Sequence, residues 1–254
     1  MKTHGRTGIV AAMQQELSAV LARLPDEQRQ RVAGRDFWVG HWHGHEVVAV
    51  LSRVGKVAAA TTAAALIERF GVDRIVFTGT AGGLAEGVRL GDLVVADAFM
   101  QHDMDASPLC PRWELPGYGR ADVACDPALS TLLLQAAQDF LLVTSQENQP
   151  DSAAAAQAHH GLVVSGDRFI ATAQASNTLR RELQEAGHTV LAVEMEGAAV
   201  AQVCADYQVP FAAMRTISDR ADDDAHVDFT RFIETVASRY AEHIVQRWLQ
   251  AVPH

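Results

Sequence analysis

The sequence predicts an α/β fold, because two kinds of segment alternate along the chain. Apolar runs rich in valine and isoleucine, bounded by glycine or aspartate, alternate with alanine-rich stretches whose apolar residues recur at helical spacing. The predicted strands are Thr7–Ala12, Phe37–Gly44, Glu46–Leu51, Arg74–Thr78, Asp92–Ala98, Gly161–Ser165, Thr189–Val193 and Phe211–Ile217. The predicted helices are Gln14–Leu24, Lys56–Phe70, Pro127–Phe140, Ser176–Glu185, Glu196–Tyr207 and Phe229–Leu249.

An early hairpin makes the expected sheet mixed rather than purely parallel. A turn at Gly44 joins the second and third predicted strands directly, and so short a connection requires antiparallel neighbours. Met100–Arg120 and Thr144–His160 are irregular in composition, but regular segments resume after each of them. We therefore expect a single domain over residues 1–254, with helices on both faces of a mixed sheet in a three-layer αβα sandwich.

Composition and charge restrict the class of protein. Of the 254 residues, 48% are hydrophobic and 20% are charged, which is typical of a globular protein and excludes a disordered or collagen-like chain. The 21 Lys+Arg residues against 31 Asp+Glu residues give a net charge of −10, which disfavours non-specific binding to nucleic acid or to an anionic membrane. We expect neither as a partner.

The cysteines and the N-terminal segment predict a cytoplasmic protein. Cys110, Cys125 and Cys204 are odd in number and widely spaced, so they provide neither a disulfide framework nor a zinc knuckle. The apolar segment near the N-terminus is interrupted at Gln14, and no stretch is long enough for a signal peptide or a membrane span.

A glycine-rich segment follows the predicted strand Arg74–Thr78. In Thr78–Gly83 the backbone can approach a ligand closely, because glycine has no side chain to block it. The spacing is neither that of a dinucleotide-binding fingerprint nor that of a P-loop. Taken alone, the segment is as well explained by a tight turn as by a binding loop.

Carboxylates stand where predicted strands give way to helices or loops. Glu16 follows the first strand, Glu194 and Glu196 flank the start of a helix, and Asp219 follows the last strand. The helix dipole stabilises an acidic side chain near a helix N-terminus by about 0.3–1 kcal/mol. This stabilisation alone could account for such residues, even if they had no role in function. Ligands of α/β proteins, however, bind at the carboxyl ends of strands, where a carboxylate can hold a diol. Both interpretations remain open for each residue alone.

The sequence predicts no metal site. His41, His43 and His45 alternate, but the turn at Gly44 interrupts them and no complete ligand set is formed, so we interpret them as part of an exposed hairpin. The acidic run Asp222–Asp224 lacks the glycine and the terminal glutamate of a calcium loop, and is expected to be a solvated loop or a helix cap.

Six motifs occur in a fixed order along the chain. They are Gly8-Ile9-Val10-Ala11-Ala12-Met13-x-x-Glu16, Gly55-Lys56-Val57-Ala58-Ala59, Thr78-Gly79-Thr80-Ala81-Gly82-Gly83, Val164-Ser165-Gly166-Asp167-x-Phe169-Ile170, Val193-Glu194-Met195-Glu196 and Arg215-Thr216-Ile217-Ser218-Asp219. Together they closely resemble the 5′-methylthioadenosine/S-adenosylhomocysteine nucleosidases of the nucleoside phosphorylase superfamily, from about Thr7 to the C-terminal helix. The resemblance implies hydrolysis of 5′-thio-substituted adenine nucleosides to adenine and the thioribose, in nucleoside catabolism and methionine salvage. It implies neither a metal nor an organic cofactor.

The resemblance also implies a role for individual residues. Asp219 would be the general acid that protonates N7 of the leaving adenine, and Glu16 would orient and deprotonate the attacking water. Cleavage of an N-glycosidic bond builds positive charge on the ribose, so a proton donor on one side and an activated water on the other are chemically required. The implied substrate-binding residues are Glu196 at the ribose hydroxyls, Met195 below the sugar, Phe169 and Ile170 at the base, Ser218 and Arg215 in support of the acid, Thr80 in the glycine segment, and Met13 and Phe229 at the 5′-alkylthio group.

One departure bears on the co-substrate. Phosphorylases of this superfamily carry an arginine three residues before the hydroxyl residue of the glycine segment, and here Phe77 stands three residues before Thr80. A phosphate would therefore lose its bidentate partner, which favours a hydrolase. The alternatives are a phosphorylase that uses phosphate, and a non-catalytic nucleoside-binding protein, against which the pair of Glu16 and Asp219 argues.

The resemblance further implies a homodimer. The segment Met100–Arg120, rich in proline and glycine, would reach across a two-fold axis to close the partner's 5′ pocket. His102, Asp103 and Pro116 would lie near that boundary. The preferred 5′ substituent is left open.

Overall fold

The structure, a computed structural model, describes residues 5–147, 156–222 and 238–253. The strands are β1 (Arg6–Ala11), β2 (Gln28–Val32), β3 (Arg35–Trp42), β4 (His45–Leu51), β5 (Arg74–Gly83), β6 (Leu93–Gln101), β7 (Asp122–Ala124), β8 (Ala158–Ser165), β9 (Val190–Glu194) and β10 (Phe211–Asp219). The helices are α1 (Gln14–Leu21), α2 (Lys56–Phe70), α3 (Pro127–Glu147), α4 (Ala173–Glu185), α5 (Gly197–Tyr207) and α6 (Ser238–Ala251).

The strands form one mixed sheet, as the early hairpin predicts. Their order is β10–β6–β8–β9–β5–β1–β4–β3–β2, with β7 paired to β6. β1 is parallel to both β4 and β5, whereas β3 is antiparallel to both of its neighbours. The turn between β3 and β4 has positive φ at His43 and Gly44, 50° and 82°, which is the backbone of a tight hairpin turn. β10 pairs with β5 as well as with β6, so five strands close into a ring, a feature that was not predicted.

Helices cover both faces of the sheet, because neighbouring side chains of a strand point to opposite faces. In β5, Phe77 joins the core that contains the buried residues of α2 and α5. Its neighbour Val76 joins the core formed with α1, α3 and α6. These two cores are the interfaces of the predicted three layers. The helix α4 packs against a smaller third core through Leu179 and Leu183.

Several elements differ from their predicted extents. β2 was not predicted, because its sequence is polar and four of its five residues are exposed. β5 was predicted to end at Thr78, with a tight turn or a binding loop after it, but it continues to Gly83 because the last glycines pair with β9 and β10. The last helix was predicted over Phe229–Leu249; the structure has a helix at Ser238–Ala251, and the first part of the predicted range lies outside the described residues. Of the helices described, none is long and apolar enough to cross a membrane.

Candidate active site

A pocket opens where the ends of β5, β9 and β10 meet. Its walls come from the start of α1, the glycine segment, the loop after β8 and the ends of β9 and β10. The sequence motifs that were separated along the chain are therefore brought together here. The lining residues are Ala12, Met13, Val54, Thr80, Ala81, Gly82, Arg168, Phe169, Ile170, Val193, Glu194, Met195, Glu196, Ser218 and Asp219.

Asp219 is buried at the end of β10 and is held by its own strand. Its Oδ2 accepts a hydrogen bond from the Ser218 hydroxyl at 2.9 Å, and its Oδ1 accepts one from the Ala221 amide at 2.8 Å. The register of the parallel pair places Asp219 opposite Gly82 of β5. Because Gly82 has no side chain, the carboxylate of Asp219 can approach the backbone of β5 closely.

Glu16 lies in the first turn of α1 and is 1% exposed. Its Oε2 accepts a hydrogen bond from the Met13 amide at 3.1 Å, whereas Oε1 is buried without a hydrogen-bond partner among the residues that the structure describes. Burial raises the pKa of Glu16 to about 7, although the Met13 amide and the positive charge of Arg215 both act to lower it. This side chain therefore changes its protonation state near neutral pH.

Glu196 precedes α5 and is also buried. Its Oε1 accepts a hydrogen bond from the Gly55 amide, at 2.8 Å, so the start of α2 holds the carboxylate at the pocket. Burial raises the pKa of Glu196 to about 8, and the negative charge of Glu194 adds to this effect. Ionisation of Glu196 is therefore coupled to the charges around it.

Glu194 and Arg215 form a buried ion pair that the sequence reasoning did not identify. Arg215 Nη2 lies 2.8 Å from Glu194 Oε2, and both side chains are 2% exposed. The guanidinium lies over the ring of Phe77, 4.1 Å from its centroid. The Glu194 carboxylate also accepts hydrogen bonds from the Ser165 hydroxyl and the Gly197 amide. The hydrogen bonds of Arg215 given by the structure go to Glu194 and to backbone carbonyls, whereas the Ser218 hydroxyl and the Ala221 amide donate to Asp219.

The remaining predicted residues lie mostly on the pocket walls. The lining includes Thr80, Met195, Phe169, Ile170 and Met13. Phe169 lines the pocket and is 40% exposed. Two further lining residues, Val54 and Arg168, were not singled out from the sequence. Phe229 lies outside the described residues.

The histidines of the hairpin do not form a cluster. His41 hydrogen-bonds to Asp26 at 2.7 Å and is exposed, but His45 is buried, which corrects the expectation that all three histidines are exposed. The reason is that His45 begins β4 on the side that faces the core. Within residues 5–147, 156–222 and 238–253, no group of three or more His, Cys, Asp or Glu residues is arranged to hold a metal ion.

Comparisons with family models, with protein sequences and with solved structures all match this chain to nucleoside-cleaving enzymes of one superfamily. A family model described as the phosphorylase superfamily matches residues 6–250. The 5′-methylthioadenosine/S-adenosylhomocysteine nucleosidase of Shewanella loihica is 32% identical over 228 residues, which are 90% of this chain and 92% of that protein. The S-adenosylhomocysteine nucleosidase of Streptococcus pyogenes, solved with 5-methylthiotubericidin, has a TM-score of 0.85 and 34% identity, and the match covers 100% of this chain and 99% of that one. The futalosine hydrolase of Helicobacter pylori has a TM-score of 0.83 and 28% identity, with 98% of each chain covered.

The fold and the family match place the protein in the phosphorylase superfamily. Within it, the chain belongs to the 5′-methylthioadenosine/S-adenosylhomocysteine nucleosidases. The resemblance drawn from the six motifs is thereby confirmed.

Proposed function

We propose that the protein hydrolyses the N-glycosidic bond of 5′-thio-substituted adenine nucleosides, such as methylthioadenosine and S-adenosylhomocysteine, to adenine and the thioribose. The observation that carries the proposal is a set of carboxyl groups with different surroundings at one site. Asp219 accepts a hydrogen bond from a hydroxyl, and Glu196 accepts one from a backbone amide. Glu16 is buried, and its Oε1 has no hydrogen-bond partner in the described structure. Separate duties for these groups meet the requirement for a proton donor and an activated water.

Asp219 is the group that we assign to the leaving base. The Ser218 hydroxyl lies 2.9 Å from Asp219 Oδ2 and 3.4 Å from the carbonyl oxygen of Ala81. A hydroxyl that donates to the Ala81 carbonyl can accept a hydrogen bond from a protonated Asp219, and after rotation it can donate one to the ionised form. Both protonation states of Asp219 are therefore supported, as a general acid requires. The acceptor is N7 of the adenine.

Glu16 is the group that we assign to the attacking water. Its Oε2 is occupied by the Met13 amide, but Oε1 has no partner in the described structure and can accept a hydrogen bond from water. With a pKa of about 7, Glu16 is ionised in a substantial fraction at neutral pH and is a stronger base than an exposed carboxylate. It can therefore take a proton from water as the bond to the base breaks.

The sugar and its substituents are assigned to the other walls. The Gly55 amide occupies Oε1 of Glu196, which leaves Oε2 for the ribose hydroxyls. We assign the remaining contacts to Met195 below the sugar, Phe169 stacked on the base, Ile170 at the base edge, Thr80 beside the glycosidic bond, and Met13 with Phe229 at the 5′-alkylthio group.

Water is a better nucleophile for this site than phosphate. Arg215 packs beside Gly79, but its charge is compensated by Glu194 and its guanidinium is stacked on Phe77. The pocket lining holds three carboxylates, those of Glu194, Glu196 and Asp219, against one arginine. This lining therefore offers a phosphate anion few cationic donors. We therefore assign a hydrolysis to this site, and we propose that it serves nucleoside catabolism and methionine salvage.

We also propose a cytoplasmic homodimer. The segment Met100–Arg120 presents Leu109 with 91% of its surface exposed, and Val54 and Val57 are 54% and 79% exposed near the pocket mouth and the start of α2. Burial of such side chains against a second copy is favourable, and a two-fold axis would bring this segment to the partner's 5′ pocket. Three free cysteines support a reducing compartment.

The proposed function is tested by incubating the pure protein with a panel of nucleosides and detecting released base by chromatography. The panel contains methylthioadenosine, S-adenosylhomocysteine, 5′-deoxyadenosine, futalosine and inosine. We expect free adenine from the 5′-thio-substituted members. Release of no base from any member would overturn the hydrolase assignment and favour a non-catalytic binding protein.

A further inference from the structure

Three residues from different elements form a closed set of contacts beside the pocket, here called the anchor ring. Lys56 begins α2, Asp103 follows β6 and Asp167 follows β8. Lys56 Nζ donates to Asp103 Oδ1 at 2.6 Å, and the Asp167 amide donates to Asp103 Oδ2 at 2.9 Å. The Lys56 amide donates to Asp167 Oδ1 at 2.8 Å. Each residue of the anchor ring is therefore bonded to both of the others.

The anchor ring holds the segment that forms one wall of the pocket. Asp167 lies two residues before Phe169, whose ring lines the pocket. The start of the segment is fixed by packing, because a Cβ on Gly166 would stand only 2.3 Å from His102 Nε2. The Gly166 amide also donates to the carbonyl of Glu194 at 3.1 Å. At the next residue, Asp167, the hydrogen bonds with Lys56 and Asp103 hold the segment in place.

The same helix start also holds a carboxylate of the pocket. The N-cap of α2 is Gly55, which has no side chain that could accept a hydrogen bond from the first amides of the helix. The carboxylate of Asp167, from another part of the chain, accepts the hydrogen bond of the Lys56 amide instead. The Gly55 amide donates to Glu196. Two adjacent amides at the start of α2 therefore bind one carboxylate of the anchor ring and one of the site.

The cation of the anchor ring is a lysine in a chain that otherwise uses arginine. Of the 21 Lys+Arg residues, only Lys2 and Lys56 are lysines. The Lys56 ammonium donates to Gln101 Oε1 at 2.9 Å as well as to Asp103. Its side chain is 16% exposed, so solvent screens this charge less than that of an exposed pair. A compact ammonium fits between these two acceptors, whereas a planar guanidinium has a different donor geometry.

We propose that Lys56, acting through Asp103 and Asp167, is a positioning residue for the nucleoside base, because it fixes the segment that carries Phe169. The identity of the base rests on the proposed function, but the attachment of the segment does not. A stacking side chain contacts the base in the ground state and in the transition state alike. Loss of its positioning should therefore raise KM and leave kcat nearly unchanged.

The test compares Lys56→Met, Lys56→Arg and Asp103→Ala with the control Arg29→Met. Arg29 forms an ion pair with Asp36 at 2.7 Å in the hairpin at the far edge of the sheet, so its loss removes a cation away from the pocket. Two measurements are made on each full-length protein: kcat and KM of base release, and hydrogen exchange of the amides of residues 166–170.

For Lys56→Met and Asp103→Ala we expect KM to rise about 10-fold and kcat to stay within about 3-fold, with faster exchange in residues 166–170. Lys56→Arg should give intermediate values, since it keeps the charge but not the geometry. The double variant Lys56→Met/Asp103→Ala should be little worse than Asp103→Ala alone, because Asp103→Ala already removes the ion pair with Lys56. Arg29→Met should match the wild type.

Unchanged exchange in residues 166–170 would overturn the proposal, and so would a fall in kcat with KM unchanged. If Lys56→Met does not fold, Asp103→Ala removes the same ion pair from its other side. If the wild type releases no base, the proposed function is wrong, and the exchange measurement still decides whether Lys56 holds the segment.

Discussion

Gly82 lies so close to Asp219 that a Cβ at that position would stand 2.8 Å from the carboxylate Oδ1. The same Cβ would stand 3.0 Å from the Ala221 Cβ, so neither neighbour leaves room for it. The glycine at this point of β5 is therefore required by the approach of the carboxylate, and φ at this glycine is not positive.

Gly82→Ala should displace Asp219 and lower kcat of base release about 10- to 100-fold, because small misplacements of a reacting group are costly. Gly87→Ala is the matched control, since a Cβ there meets nothing within 4 Å. Steady-state kinetics of both variants check the prediction. Equal turnover in the two variants would mean that the contact between Gly82 and Asp219 does not matter for catalysis.

Asp219→Asn should abolish base release while leaving the fold intact. The asparagine side chain has the same shape but has no carboxyl proton to give, and loss of a general acid costs about 10²–10⁴-fold in rate. Turnover is measured by adenine release, and the thermal midpoint by circular dichroism. Asp139→Asn, an exposed change on α3, serves as control. A variant with more than about a third of wild-type turnover would remove Asp219 from the role, since such a loss is far smaller than that of a general acid.

Glu16→Gln should also abolish turnover, but with nucleoside binding preserved. In the wild type, the rate should rise with pH up to the pKa of about 7, because only the ionised Glu16 can take a proton from water. The measurements are calorimetric binding of a nucleoside to the variant and a pH–rate profile of the wild type. A wild-type rate that falls steadily from pH 5 to pH 7 would contradict the assignment.

The raised pKa of Glu16 also predicts how stability depends on pH. Below about pH 4.5 the carboxyl is protonated in the folded and unfolded states alike, and between that pH and about 7 only the unfolded state ionises. Glu16 therefore lowers the stability of the folded wild type as pH rises through this window, by up to about 3 kcal/mol, and this contribution is absent from Glu16→Gln. The difference in unfolding free energy, variant minus wild type, should grow from pH 4.5 to pH 7 and then level off. A constant difference across this range would show that burial does not perturb Glu16.

The extent to which sequence anticipated this structure depends on how local each signal is. The location of Asp219 at the end of a strand could be predicted because it directly follows an apolar run, whereas its role as an acid came from the family resemblance and stays a prediction. The pair of Glu194 and Arg215 was missed because the two residues meet only when β9 and β10 are assembled. Gly82 was predicted to lie in a tight turn or a binding loop, since nothing local reveals that Asp219 lies against it. The polar edge strand β2 was missed for the opposite reason, because it buries too little to produce an apolar pattern.

The proposed dimer predicts a mass in solution of twice that of the chain. Sedimentation velocity at assay concentration should give one species of that mass, and Leu109→Asp should shift it toward the monomer, because the 91% exposed leucine is expected at the interface. Leu142→Asp, at a 61% exposed leucine on α3, is the matched control and should remain dimeric. A fully active monomer of the wild type would refute the dimer.

The last prediction concerns whether water or phosphate is the nucleophile, which the dependence of the rate on phosphate decides. Phosphate needs cationic or bidentate donors near the glycine segment, and the ring of Phe77 there is buried under the guanidinium of Arg215, which Glu194 already neutralises. Glu16 beside the same site would repel a phosphate anion further when ionised, whereas a carboxylate is the group that can take a proton from neutral water. We therefore predict equal rates of base release in phosphate-free buffer and in phosphate buffer of the same pH and ionic strength. The sugar product should be the free thioribose, detected by its reducing end. A rate that depends on added phosphate, with a sugar 1-phosphate among the products, would show that the enzyme is a phosphorylase.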